Sequence, residues 1–334
     1  MSEKKRILTG DRTTGKLHLG HYVGSLQNRV RLQDEYESFI LLADMQALIT
    51  HLEHPELLEH SIYEVAMDNL SVGLDPNKIT LVQQSRIPSI GELTVFYSML
   101  VSVNSLRHNP TIKTEAANYG YNDMTYGFLG YPVSQSADIT FCKANLVPVG
   151  EDQKPHMEMT RKQTACRIIN CVLGFVVNFF RSIPCIILMV AMMPVARLIL
   201  GKSLGNAIYL SDPAEEVRKK VMSAVTDASR IKKDDPGHPD ICVVSKYHKV
   251  FNAGEYENIC ESCKKGAIGC VACKKALAAS LNDLLEPFRE KRAYYEAHRD
   301  EVRDIILTGS EKANKIGNET VKEVKEAMHI YIGD

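Results

Sequence analysis

The sequence predicts an α/β protein, with a Rossmann-like parallel-sheet catalytic domain over 1–211 and a helical domain over 212–334. Three observations carry this. In the first half, short apolar runs of strand length alternate with segments of helical periodicity. A turn rich in glycine and histidine follows the first run, and beyond Leu210 the spacing is mostly helical. At 334 residues the chain has the length of two ordinary domains. Strands separated by helices form parallel units with right-handed crossovers, and such sheets bind ligands beyond the carboxyl ends of their strands.

Arg6–Thr9 is the first apolar run. Gly10, Gly15 and two threonines break it, and His18-Leu19-Gly20-His21 opens a helix. Two imidazoles three positions apart share one face of that first turn. Gly20 between them admits a nucleotide close to the backbone, and a helix N-terminus suits phosphate. Ser38–Asp44 is the second strand, Pro55–Leu74 an amphipathic helix, Ile79–Gln83 the third strand, and Gly91–Leu106 a further helix. Ser136-Ala137-Asp138 then sets a carboxylate in an apolar segment. Val147–Gly150 reads as a short strand delivering Asp152 and Gln153 to its end.

In the second half, Asp212 is an apt N-cap, with Pro213 at the first helical position. Lys274–Glu296 reads as an amphipathic helix kinked at Pro287, and Glu301–Leu307 and Glu319–Met328 as two more, parted around Gly309 and Gly317. Between them stand two Cys-x-x-Cys pairs, Cys260/Cys263 and Cys270/Cys273, with Cys242 upstream. Pairs this close point to metal ligation. Cys260, Cys263, Cys270 and Cys273 would make a structural Zn²⁺ site; Cys242 in place of Cys260 would suit a [4Fe–4S] cluster. The chain has nine cysteines and no apolar leader after Met1, which together point to a reducing, cytoplasmic setting. A net charge of −1 means that any RNA contact rests on local basic groups such as Lys219, Lys220, Arg230, Lys232, Lys233, Lys274 and Lys275.

TGDRTTGKLHLGHYVG, GYPVSQSADI, VPVGEDQ and GKSLGNAIYLSD, in that order, resemble the bacterial tryptophanyl-tRNA synthetases, which are class I aminoacyl-tRNA synthetases. The resemblance implies activation of tryptophan by ATP with Mg²⁺, transfer of the aminoacyl group to tRNA(Trp), and a homodimer. It implies that His18 and His21 donate to the ATP phosphates, with Gly10, Gly20, Asp152, Ser203 and Lys113 also around ATP. It places Asp138 against the indole N–H, with Tyr131, Gln135 and Gln153 in the same pocket. Gln46 stands where many relatives have histidine. The helical domain becomes the anticodon-binding domain, and the spacing of Cys242, Cys263, Cys270 and Cys273 is similar to the subset carrying an iron–sulfur cluster, which we favour over zinc. Tyrosyl-tRNA synthetase is the nearest relative, and a catalytically impaired RNA-binding paralogue is the competing reading.

The pattern departs between 163 and 201. No acidic residue occurs from Met159 to Ser211, and the family's KMSKS position reads Ile199-Leu200-Gly201-Lys202-Ser203, leaving Lys202 alone to meet the phosphates. Lost pattern at preserved length points to compensating frameshifts in the gene. The segment is no membrane span: Arg181 and Arg197 bracket an uncharged run shorter than the ~18 residues required, and Pro184 and Pro194 interrupt it.

Overall fold

A computed structural model describes residues 4–121, 123–148, 160, 207–232 and 234–333. Strands β1 (Arg6–Arg12), β2 (Glu37–Ala43) and β3 (Ile79–Gln83) form a parallel sheet in the order β1-β2-β3. Arg6 pairs with Glu37 and Ser38 with Ile79. Ile7, Leu8, Phe39, Ile40, Leu41, Leu42, Leu81 and Val82 are all buried, as expected of strands covered on both faces. On the far side of β1, Leu8 N donates to Leu146 O at 3.0 Å and Leu146 N to Arg6 O at 3.1 Å. This is a single parallel bridge, Ile7 to Leu146, just ahead of the short strand expected over Val147–Gly150; Val147 and Pro148 are not strand, and Val149 and Gly150 lie outside the described residues.

The crossovers are helical. Between β1 and β2 run α1 (Leu19–His21), a π-helical turn (Tyr22–Leu26) and α2 (Gln27–Leu32). Between β2 and β3 run α3 (Asp44–Leu48) and α4 (Glu56–Ser71). The single helix expected over Gly91–Leu106 is two, α5 (Pro88–Ser98) and α6 (Val103–Arg107). Ser102 caps the second by accepting from Ser105 N, so a local hydrogen bond restarts the helix where apolar spacing alone ran on. Then follow α7 (Pro110–Tyr119), closed by Gly120 at φ +69°, and α8 (Tyr126–Thr140), capped by Thr125.

After Ala207 come α9 (Ala214–Ser223), α10 (Val243–Phe251), α11 (Tyr256–Lys264), α12 (Cys270–Ala297) and α13 (Arg299–Ala327). Asp212 does not cap α9. It accepts from Tyr209 N at 2.8 Å and Lys220 Nζ at 2.6 Å, because it is turned back onto the chain entering the helix. The two C-terminal helices expected to part at Gly309 and Gly317 are one helix of 29 residues. Both glycines are contact points. A Cβ on Gly309 would lie 2.1 Å from Leu81 O on β3, and one on Gly317 2.1 Å from Ser89 Oγ. The helix tolerates them because they let it lie directly on the sheet edge, where Ser310 Oγ accepts from Gln83 N at 3.0 Å. Leu277, Leu281 and Leu285 of α12 share one core with Leu42, Leu70 and Leu81, so the helical half packs straight onto the sheet half.

Candidate active site

The chain leaves β1 at the carboxyl edge of the sheet, turns at Gly15 (φ +99°) and enters the His18–His21 turn. His18 is the N-cap of α1. Gly20 N donates to His18 Nδ1 at 3.0 Å, and His18 N donates to His21 Nδ1 at 3.2 Å. Both Nδ1 atoms are therefore acceptors, which puts the proton of each neutral ring on Nε2. The rings lie 4.0 Å apart between centroids. Two Nε2–H donors on adjacent rings at a helix start are a geometry for phosphate oxygens. Ile208 O accepts from Leu19 N and Leu17 O from Leu210 N, each at 3.0 Å, so the chain re-enters the described structure against this turn. Asp11 approaches His21; burial works to raise its pKa, but the charge and hydrogen bonds of Arg29 win and hold it below the usual range.

Tyr131, Gln135 and Asp138 are four and three positions apart on α8 and share one face. Asp138 is buried, and its Oδ1 accepts from Gln84 Nε2 at 2.8 Å. Burial, reinforced by the nearby Asp44 charge, pushes the Asp138 carboxyl up to about 7 against the opposing hydrogen bonds from Gln84 and Gln46. Gln46 is itself fixed by donating from Nε2 to Ser134 Oγ at 2.9 Å. Burial and the neighbouring Glu115 carboxylate raise the Tyr131 phenol far above its ordinary value. Among the described residues, the Gln135 Oε1, Arg12 Nε and Thr13 Oγ1 atoms are buried without a hydrogen-bond partner.

Gln84, Asp44 and Ser85 were missed by motif reasoning, yet they organise this pocket. Asp44 accepts from Gln83 Nε2 at 2.8 Å and from Ser85 Oγ at 2.5 Å. All stand just beyond the ends of β2 and β3, the signal that could have found them. Gly20 is buried within the histidine turn. Gly10 serves the sheet, since a Cβ there would come 2.4 Å from Leu41 O. Lys113 is exposed on α7, two positions from Glu115. Asp152, Gln153, Lys202, Ser203 and the segment 163–201 lie outside the described residues.

Of the basic groups, Lys220 donates to Ala207 O at 2.9 Å, Lys274 donates to Met222 O at 2.9 Å, and Arg230 faces thiols. These three serve the fold, while Lys219, Lys232 and Lys275 are exposed. Arg230 Nη1 lies 3.9 Å from both Cys263 Sγ and Cys270 Sγ. Cys260 is buried and pairs with Ser245 Oγ at 3.7 Å. Burial and then the neighbouring thiols raise Cys273, pushing it up to about 12. Among the described residues, no group of three or more His, Cys, Asp or Glu side chains is disposed as a metal-binding set, so the expected cluster has no support from that quarter.

Residues 1–286 match the family model described as tRNA synthetases class I (W and Y). The chain is 46% identical to the tryptophan–tRNA ligase of Streptococcus mutans over 98% of both chains, and 42% identical to that of Streptococcus pneumoniae, again over 98% of both. Its fold is similar to that of the tryptophanyl-tRNA synthetase of Campylobacter jejuni complexed with ADP and tryptophan. There the TM-score is 0.81 and the identity 25%, covering 97% of this chain and 99% of that one. A motif order, a parallel sheet with its histidine turn at the strand ends, and relatives matched end to end thus agree that this chain belongs to the class I tRNA synthetases of the tryptophan and tyrosine family.

Proposed function

We infer that the chain is a tryptophan–tRNA ligase, activating tryptophan with ATP to tryptophanyl-adenylate and transferring it to tRNA(Trp). The Streptococcus relatives at 46% and 42% identity are tryptophan enzymes, which favours this over the tyrosine enzyme. The observation that carries it is the buried Asp138, held by Gln84 beside Tyr131 and Gln135 at the strand ends. A buried acceptor suits the one donor of an indole, and leaving it unpaired penalises analogues. His18 and His21 would meet the ATP phosphates through Nε2–H, with Mg²⁺ supplying further charge neutralisation when bound. Negative charge grows on those oxygens as the tryptophan carboxylate attacks the α-phosphate, so donors fixed beforehand stabilise the transition state. Gly10, Gly20, Lys113, Asp152 and Ser203 complete the ATP side in this reading, and Gln153 the tryptophan side. Residues 1–211 would form the catalytic domain and 212–334 the anticodon-binding domain, in a cytoplasmic enzyme.

Two finer assignments belong to the same reading. Cys242, Cys263, Cys270 and Cys273 would hold a [4Fe–4S] cluster that ties α10, α11 and α12 together; the alternative is zinc on the Cys260 set. What separates the two sets is Cys260, which is buried and has a partner in Ser245 Oγ at 3.7 Å. A homodimer belongs to the same reading, as the resemblance implies.

Tryptophan-dependent ATP–pyrophosphate exchange tests the function, on the chain as it stands and with Ile199-Leu200-Gly201 replaced by Lys-Met-Ser. Loss of one charge-assisted contact in the transition state costs roughly 10²–10³-fold in rate, so the replaced version should be the faster. Exchange absent from both versions would leave the RNA-binding paralogue as the reading.

A further inference from the structure

Asp68, on α4, is fully buried and belongs to none of the groups described above. Its Oδ2 accepts the backbone N–H of Leu17, the residue before His18, at 2.7 Å. Its Oδ1 accepts from Nη1 of Arg292 on α12. Arg292 is also buried, and it donates to Glu64 Oε2 at 2.7 Å and to Glu296 Oε1 at 2.8 Å. The backbone entering the histidine turn is thus gripped from two sides, by Leu210 N on Leu17 O and by this carboxylate on Leu17 N. A buried ion pair seldom adds net stability over an apolar pair of the same shape. What it supplies here is direction. The carboxylate fixes the plane of the Leu17 amide, and that plane sets where the His18 N-cap begins.

We propose that Asp68, clamped by Arg292, is a positioning residue for the His18–His21 turn, so that α12 of the helical half and the phosphate-binding turn are held as one body. The inference rests on the reading of that turn as the ATP site. Neither residue touches substrate. A turn displaced by about 1 Å loses catalytic rate by up to about 10²-fold, while the tryptophan pocket on α8 is untouched.

The experiment uses Asp68→Leu, Arg292→Met and the double variant in the full-length chain. It measures melting temperature, ATP affinity by calorimetry, and tryptophan affinity by the fluorescence of the bound amino acid. Each single variant should melt early, since it leaves a buried charge or donor unmatched. The double variant should recover part of its melting temperature, the buried Glu64 and the Leu17 N–H still lacking their partners, yet bind ATP about tenfold more weakly, with tryptophan affinity within about twofold of the starting chain. Recovery of ATP affinity together with melting temperature would overturn the proposal, because the pair would then be structural only. Should the double variant not fold, Asp68→Asn decides. It keeps an acceptor for Leu17 N–H, so ATP affinity should hold while the melting temperature falls; a parallel loss of both overturns the proposal. His18→Ala separates the underlying reading: unchanged ATP affinity there would sink the histidine turn as the ATP site, whatever the Asp68 variants do.

Discussion

Gln84 Nε2 and Asp138 Oδ1 are joined by a 2.8 Å hydrogen bond between two buried side chains from different elements, one just past β3 and one on α8. The amide occupies one carboxylate oxygen and so orients the other. Because burial and the Asp44 charge push Asp138 up to about 7, this group titrates near neutrality while no ligand is bound.

Tryptophan affinity should therefore depend on pH. An indole N–H bonds more strongly to the ionised acceptor than to the neutral acid, so binding favours release of a proton below pH 7. Affinity should rise by up to about tenfold per unit as pH approaches 7 from below, then level off above it. The sign for stability is the reverse. The folded chain holds a proton that the unfolded chain has lost, so this contribution is present at low pH and disappears as pH rises through about 7. The chain contains no tryptophan, so the bound amino acid's own fluorescence reads the titration directly. A flat profile between pH 5 and 8 would remove Asp138 from the role.

Asp138→Ala should slow tryptophan-dependent exchange at low tryptophan concentration while leaving ATP binding in place. The cost of the missing acceptor is on the order of 1–3 kcal/mol in tryptophan binding. Gln84→Leu should weaken tryptophan binding less, since the acceptor remains but turns freely. Equal losses in the two variants would show that Gln84 contacts the ligand itself.

The cysteines give an assignment that elemental analysis decides. Protein purified without oxygen should carry iron and acid-labile sulfide. Cys242→Ser should release the iron and Cys260→Ser should keep it, because Cys260 is turned to Ser245 at 3.7 Å. Zinc without iron, lost on Cys260→Ser, would select the other ligand set.

Which parts of this molecule were legible in the sequence follows from the range of the forces involved. Ile79–Gln83 is bounded by turn residues and reads directly as β3. The histidine turn was also readable, because its donors come from neighbouring residues. Gln84 and Asp44 were not, since a polar residue past a strand acquires its role only when a helix from elsewhere brings Asp138 to it. Arg292 was hidden for the same reason: its partner Asp68 lies 224 positions away. The Asp212 cap failed because Lys220, a residue inside the helix, competes for the carboxylate.

Gly309 and Gly317 are the sharpest case, and they carry the last prediction. By helix propensity alone, replacing a mid-helix glycine with alanine stabilises by about 0.5–1 kcal/mol. That should hold for Gly91 on α5, where an added Cβ meets nothing within 4 Å. At Gly309 the same Cβ would sit 2.1 Å from Leu81 O, a backbone atom of β3 that cannot swing away. The helix must then lift from the sheet edge, breaking the 3.0 Å bond from Gln83 N to Ser310 Oγ. Overpacking of this kind costs typically about 1–3 kcal/mol, which outweighs the propensity gain. Gly91→Ala should thus raise the melting temperature and Gly309→Ala lower it, in the same buffer and by the same calorimetric scan. If both rose, α13 would not rest on β3 at this point, and the continuous helix would have to be explained without the contact.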